Sequence, residues 1–265
     1  KMGKTAPIQK KIDDVQAEFD KASKAAPVVR KQIKPIQDAE ATNVMEQIAM
    51  QEANLAKLHK AQLGHGAYKI EHGADKAYPD LLELAKVVAE QEVDTSKLVD
   101  LATLFEFPDK TKGIQETVQT MREDLVKGKC LWDLERMVNF QFEDWKKLLW
   151  DQINAASLEE EAKGFQKIVK GMDKAVRTWD VYLGIDGIIK NFLVSVPCIS
   201  ELKSPSMRQR HWDKLMGITK VDIAVKDGQF DPAFCLADML KLELFKYVDD
   251  VGEVVDQANK EDKME

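Results

Sequence analysis

The chain has 265 residues, 44% of them apolar and 32% charged, with only 13 Gly and 8 Pro. This is enough apolar material for a sizeable core, and the mixture favours long helices over sheets. A net charge of −7 argues against nucleic acid as the main partner, and Cys130, Cys198 and Cys235 are too few and too scattered for a disulfide framework or a metal knuckle, which implies a reducing compartment.

The charge is uneven. Residues 1–34 carry nine basic and four acidic side chains, whereas residues 222–265 carry five basic and twelve acidic ones. No apolar run approaches the roughly 20 residues that span a bilayer, and no signal peptide is visible, so no membrane partner is expected. Lys1 at the start and a helical pattern running into Glu265 read as a piece of a longer chain.

Ile8, Ile12, Val15, Phe19 and Ala22 step by four and three, one stripe of a helix. Val44, Ile48, Gln51, Leu55, Leu58 and Gln62 repeat the spacing beyond Pro35. Two helices joined around Pro27–Pro35 are expected to form a thin antiparallel hairpin resembling a coiled coil. Gly64, Gly66, Gly73 and Tyr78-Pro79 punctuate the next stretch of chain. Residues 80–90 and 96–106 read as two short helices, the second capped by Thr95 or Ser96 and ended at Phe107-Pro108.

From about 111 to 150 one long helix is expected, striped by Ile114, Val118, Met121, Leu125, Trp132, Val138, Trp145, Leu148 and Leu149 and bent at Gly128. Ser157 with Glu160 forms a capping box for a helix carrying Phe165 through Leu183. A junction is expected at Asp186 between Gly184 and Gly187, and the next helix stops at Pro197. Ser204-Pro205 opens a helix to Gly217. Val221, Ile223 and Val225 alternate before Asp227-Gly228, a hairpin turn signal. Asp231-Pro232 starts another helix, and Tyr247–Glu265 makes the last. The expected fold is all-α, an elongated rod of helical bundles with a long antiparallel helix pair and at most one short β-hairpin. The five tryptophans, Trp132, Trp145, Trp150, Trp179 and Trp212, all fall in helical patterns, where burial contributes on the order of 1.5–3 kcal/mol each.

Local chemistry is sparse. Gly3-Lys4-Thr5 matches the end of a P-loop but lacks the preceding glycine, spacer and strand, so it reads as a chance tripeptide. His59, His65 and His72 are spaced too widely for a zinc site; a solvated loop accounts for them. Glu159-Glu160-Glu161 reads as a helix start favoured by its dipole. Tyr68, Tyr78 and the basic first helix offer either a partner face or a plain exposed one. No catalytic, cofactor or metal residue is assigned.

The most specific stretch is Pro205-Ser-Met-Arg208-Gln-Arg210-His211-Trp212, preceded by Val196-Pro197-Cys-Ile-Ser-Glu-Leu202. It resembles the Arg-His-Trp signature of dynein heavy chain linkers. Leu131-Trp132-Asp133-Leu134, Arg177-Thr178-Trp179-Asp180, Leu236–Leu244 and Ala258–Glu265 are similar to that family as well. Residues 78–265 carry the resemblance well and 1–77 more loosely. Tyr247–Val251 and Val255–Ala258 look most like the beta class of axonemal outer-arm chains, while Val221–Val225 departs from the pattern, where an aromatic is more usual.

The resemblance implies a tail hairpin over 1–77 and the N-terminal part of a linker over 78–265. It implies a segment that is not catalytic and transmits force in an ATP-driven, minus-end-directed microtubule motor of cilia or flagella. ATP and Mg would bind in an AAA ring later in the chain. Implied partners are that ring, other heavy chains, intermediate and light chains, and microtubules through other parts of the motor. Pro205, Arg208, Arg210, His211, Trp212, Trp179 and Trp132 are the signature residues. For Arg208, Arg210, His211 and Trp212 the plain reading is that the tryptophan packs inside while the arginines bridge to acidic neighbours; a docking contact with the ring is the other. A free-standing helical scaffold, or a nucleotide-binding enzyme starting at Gly3, are the rival readings.

Overall fold

The computed structural model describes residues 6–264; Gly3-Lys4-Thr5 lies outside them. The described residues form eight α-helices, several 3-10 turns and one small hairpin, an all-α fold. The chain divides into two compact units, Lys1–Leu63 with Leu84–Glu123, and Gly64–Glu83 with Asp124–Glu265.

In the first unit, α1 (Ala6–Leu63) is one continuous helix of 58 residues that passes through Pro27 and Pro35. The expected hairpin does not form. Each proline removes one helical hydrogen bond, but the stretch between them is Val-Val-Arg-Lys-Gln-Ile-Lys, with no Gly or Asn to reverse the chain, so the turns on either side propagate through it. The second seam of α1 is buried at Val44, Ile48, Leu55 and Gln62. Its neighbours are α2 (Ala74–Leu104) and the first turns of α3 (Lys112–Lys146). There Val88, Thr95, Leu98, Ala102, Ile114, Val118 and Met121 are buried, again stepping by threes and fours. Gln51 donates to Gln91 at 3.1 Å and Asn54 to the same oxygen at 3.0 Å, while Gln51 also reaches Thr95 at 3.4 Å, so α2 runs antiparallel to α1. Gln62 donates to the Met121 carbonyl at 2.9 Å. Since α2 is unbroken, Thr95 is a buried mid-helix residue and no cap. The first seam, with Ile8, Ile12, Val15 and Phe19, is exposed along α1.

The second unit contains α4 (Ala155–Gly171), α5 (Asp180–Leu202), α6 (Gln209–Thr219), α7 (Leu236–Leu240) and α8 (Val248–Asp262). Several expected boundaries move. Asn154, not Ser157, caps α4 by accepting from the Ser157 N–H at 3.2 Å. Glu159 to Glu161 lie past its first turn, where Glu159 pairs with Lys163. The helix expected to reach Leu183 breaks after Gly171 into a 3-10 turn, Lys174–Thr178, capped by Asp173. α5 runs through Gly184, Gly187 and Pro197, because packing on both sides outweighs local breakers. Gly184 is needed for close approach instead: a Cβ there would lie 2.5 Å from Ile70 Cγ1. Gly128 likewise admits the Tyr68 ring, 3.1 Å from a notional Cβ. α6 begins at Gln209, later than Pro205, and α7 at Leu236, later than Asp231. Trp150 and Trp179 lie outside the α-helices.

α5 is long and apolar enough to cross a membrane by length and composition, with a mean hydropathy of 1.4, contrary to the sequence reading. Here it is the central helix of its unit, burying Val181, Ile185, Ile189, Phe192, Val196 and Ile199 against α4 and α8. The hairpin forms as expected: β1 (Val225–Lys226) pairs antiparallel with β2 (Gln229–Phe230). Asp227 and Gly228 both have positive φ, 56° and 78°, the geometry of a type I′ turn.

Candidate functional site

The signature residues fall into two places within the second unit. Trp132 and Trp179 meet around the two 3-10 turns Gly66–Tyr68 and Ile70–His72. Trp132 is fully buried and its indole N–H donates to the Ala67 carbonyl at 2.7 Å. Trp179 stands edge-on to Tyr68, ring centroids 5.0 Å apart. Asp180 accepts from the Ile70 N–H at 2.8 Å, and Tyr78 donates to Asp133 at 2.7 Å. Burial and that carboxylate push the Tyr78 phenol up to about 12. His65 accepts from the Ala67 N–H at 3.1 Å and His72 lies 2.7 Å from Asp80. Among the described residues no group of His, Cys, Asp and Glu is placed to hold a metal ion.

Pro205 to Trp212 form the other place. His211 is 1% exposed. Its Nδ1 accepts from the Arg208 backbone N–H at 3.0 Å, which leaves the proton on Nε2, 3.1 Å from Glu261. Arg210 donates from Nε to the same carboxylate at 2.6 Å, and Gln257 donates to its other oxygen at 2.7 Å. The Gln257 bond, then Arg210 and His211, hold the Glu261 carboxyl down at about 2. Arg208 bridges the Pro205 carbonyl at 2.7 Å and Asp262 at 3.0 Å. Ser206 reaches Asp262 at 3.1 Å and Ser204 reaches Asn259 at 2.9 Å. Residues 204–211 are thus laced to the last two turns of α8, and the guanidinium groups also oppose the negative end of its dipole.

Trp212 points the other way from this polar seam. It is 2% exposed and stands edge-on to Phe230 at 4.9 Å and Trp150 at 6.4 Å. Phe230 stacks on Phe234 at 4.2 Å. The Trp150 N–H donates to the Phe234 carbonyl at 3.0 Å and the Leu236 N–H to the Leu148 carbonyl at 2.9 Å, so the end of the α3 region is fastened to the chain after the hairpin. Lys203 sits over the Trp150 ring at 5.3 Å and donates to the Ile153 carbonyl at 2.6 Å; burial lowers its pKa. Sequence reasoning missed Trp150, Phe230, Phe234 and Lys203 as one cluster, and the only local signal was the Asp227-Gly228 turn beside Phe230.

Among known proteins, the family described as "Dynein heavy chain, N-terminal region 2" matches residues 118–265. The chain is 40% identical over 258 residues to "Dynein alpha chain, flagellar outer arm" of Chlamydomonas reinhardtii, covering 97% of this chain and 6% of that protein. It is 37% identical over 193 residues to "Dynein beta chain, ciliary" of Heliocidaris crassispina, covering 72% and 4%. It is 39% identical over 199 residues to "Dynein beta chain, flagellar outer arm" of Chlamydomonas reinhardtii, covering 74% and 4%. The chain therefore spans about one twentieth of the length of these curated relatives, and alpha and beta chains match at similar identity.

Proposed function

The chain belongs to the dynein heavy chain family, and on that premise we propose that it is a force-transmitting tail and linker segment of an axonemal motor. In this reading ATP binding and hydrolysis take place in an AAA ring elsewhere in the heavy chain, and the segment carries the resulting movement toward the tail. The segment is not itself catalytic. The motor runs toward microtubule minus ends in cilia or flagella, joined to other heavy chains and to intermediate and light chains.

The observation that carries the proposal is the match of residues 118–265 to the N-terminal region of these heavy chains. The geometry supports it in one respect: a part that carries load needs its helices fastened across long sequence separations. Arg208, Arg210, His211 and Ser206 fasten α6 to α8 in that way. The test is made on the full-length heavy chain. With Arg208→Ala and Arg210→Ala together, ATP turnover is expected to persist while microtubule gliding slows. Gliding that stays unchanged when residues 118–265 are deleted, or ATP hydrolysis by the 265-residue chain alone, overturns the reading.

A further inference from the structure

From Ile8 to Glu40 every residue of α1 is exposed, and this half of the helix carries an apolar stripe. We propose that the stripe is a self-association surface, on which a second copy of the chain lays its own α1 antiparallel to form a symmetric two-stranded coiled coil. The inference stands on α1 alone and does not depend on the motor reading.

The first observation is a helix without support. A helix in a protein draws most of its stability from packing its apolar face, and among the described residues nothing buries this one. The stretch also holds Pro27 and Pro35 and the pair Val28-Val29, all poor helix formers. Its local ties, Gln9 to Asp13, Gln16 to Asp20 and Lys21 to Glu18, contribute little.

The second observation is the period. Beyond Phe19 the stripe continues through Ala22, Ala26, Val29, Ile33 and Ile36. From Ile8 onward the steps alternate four and three without a fault, the seam of a coiled coil, and both prolines fall beside it. Val15 and Val29 stand where a parallel dimer favours Leu. Reversed about residue 24, the seam matches itself. An antiparallel copy seats Ile12 opposite Ile36, Val15 opposite Ile33, Phe19 opposite Val29 and Ala22 opposite Ala26. Every layer is apolar, the smallest side chains meet at the two-fold axis, and the contact is the same patch on both copies.

The third observation is the order of the charges. From residue 12 to 20 the only charged side chains are Asp13, Asp14, Glu18 and Asp20; from 21 to 37 they are Lys21, Lys24, Arg30, Lys31 and Lys34. The antiparallel register lays the acidic block across from Arg30, Lys31 and Lys34 of the second copy, whereas a parallel pair in register lays like on like. The flanking pairs, Gln16 with Arg30 and Glu18 with Gln32, bring no like charges together. A helix that carries this seam and both blocks in the reverse order is α1 of another copy.

The test follows the 265-residue chain by sedimentation equilibrium from micromolar to millimolar concentration. A monomer–dimer equilibrium is expected, weakening as salt rises because the attraction between blocks is screened. Phe19→Asp puts a carboxylate into the seam and is expected to weaken dimerisation about tenfold or more. Phe19 is 65% exposed in the single chain, so the rest of the fold is expected to stand in that variant. Orientation is read from Ala22→Cys and Ala26→Cys made together: on oxidation each position is expected to link to the other one in the second copy, located by mass spectrometry of the peptides, whereas a parallel pair links like with like. Links between like positions only, a dimer that tightens with salt, or dimerisation undiminished in Phe19→Asp overturns the proposal. A chain that stays monomeric throughout also overturns it and gives the stripe to a different occupant.

Discussion

Two buried tryptophans in the same unit have opposite hydrogen-bonding fates. Trp132 and Trp212 are 0% and 2% exposed. The Trp132 N–H is satisfied by the Ala67 carbonyl, and polar groups nearby are paired, Asp180 with Ile70 and Tyr78 with Asp133. Trp212 has similar burial and aromatic company, but its indole N–H has no partner among the described residues. The Trp132 indole is tied into its surroundings by a hydrogen bond, whereas the polar pairing around Trp212 lies on its α8 side and leaves the indole N–H out.

The largest expected effect tests that contrast. Truncating either tryptophan to Ala should cost about 3–5 kcal/mol, the usual range for a buried Trp. Substitution by Phe should separate them. Trp132→Phe loses packing volume and also strands the buried Ala67 carbonyl, adding about 1–3 kcal/mol. Trp212→Phe loses volume but removes an unsatisfied donor. Urea unfolding midpoints of the two Phe variants check this. Equal losses would mean that the Trp212 N–H finds a partner in solution, an ordered water for example, and the contrast would collapse.

A smaller effect asks how tightly the Trp132 region is packed. Gly184→Ala drives a methyl to 2.5 Å from Ile70 Cγ1 and 2.8 Å from its Cβ, neither of which is the far end of a flexible chain. Overpacking of that kind costs about 1–3 kcal/mol, against a gain of about 1 kcal/mol in helix propensity, so a net loss is expected. Gly128→Ala meets the edge of Tyr68 at 3.1 Å and a Leu81 methyl at an ordinary 3.5 Å, and the same propensity gain should bring it close to neutral. Thermal unfolding of the two single variants decides the order; a stabilised Gly184→Ala would show that Ile70 moves aside freely.

The sequence made the helical class, the hairpin at Asp227-Gly228 and the second seam of α1 legible, because each rests on local period or turn chemistry. It misplaced breaks wherever Pro or Gly stood in a helix that continues. Pro27, Pro35 and Pro197 are carried through, as are Gly184 and Gly187, the former at a close approach to Ile70. In α5 the cost of the local breakers is offset by packing from far along the chain, as Ile70 does at Gly184, whereas around Pro27 and Pro35 the helix is exposed and continues by propagation of its turns. The signature residues could be named from resemblance, but not their partners. Glu261 and Asp262 lie some fifty residues from Arg210 and Arg208, with no periodicity linking them. Trp150, Phe230 and Phe234 converge through a 3-10 turn and a two-residue strand, elements too short to carry a pattern.

The smallest expected effects set the two regions at opposite ends of the pH scale. Around Trp212, Glu261 has a folded pKa of about 2 against an ordinary 4.5. Because the folded value lies lower, the lacing of α6 to α8 contributes in full above about pH 4.5 and is lost as pH falls toward 2. Around Trp132, Tyr78 has a folded pKa of about 12 against 10.0. Because this value lies higher, the phenol bond to Asp133 contributes in full below about pH 10 and is lost as pH rises through 12. Both groups reach solvent, so screening keeps each contribution small. Glu261→Gln should therefore flatten the acid limb of a stability profile and leave the alkaline limb alone, and Tyr78→Phe should do the reverse. Urea midpoints read across the pH range check both. If Glu261→Gln leaves the acid limb as steep as before, the Arg210 and His211 contacts contribute nothing to holding α6, and the lacing that distinguishes the Trp212 region would reduce to Arg208, Ser206 and Asp262.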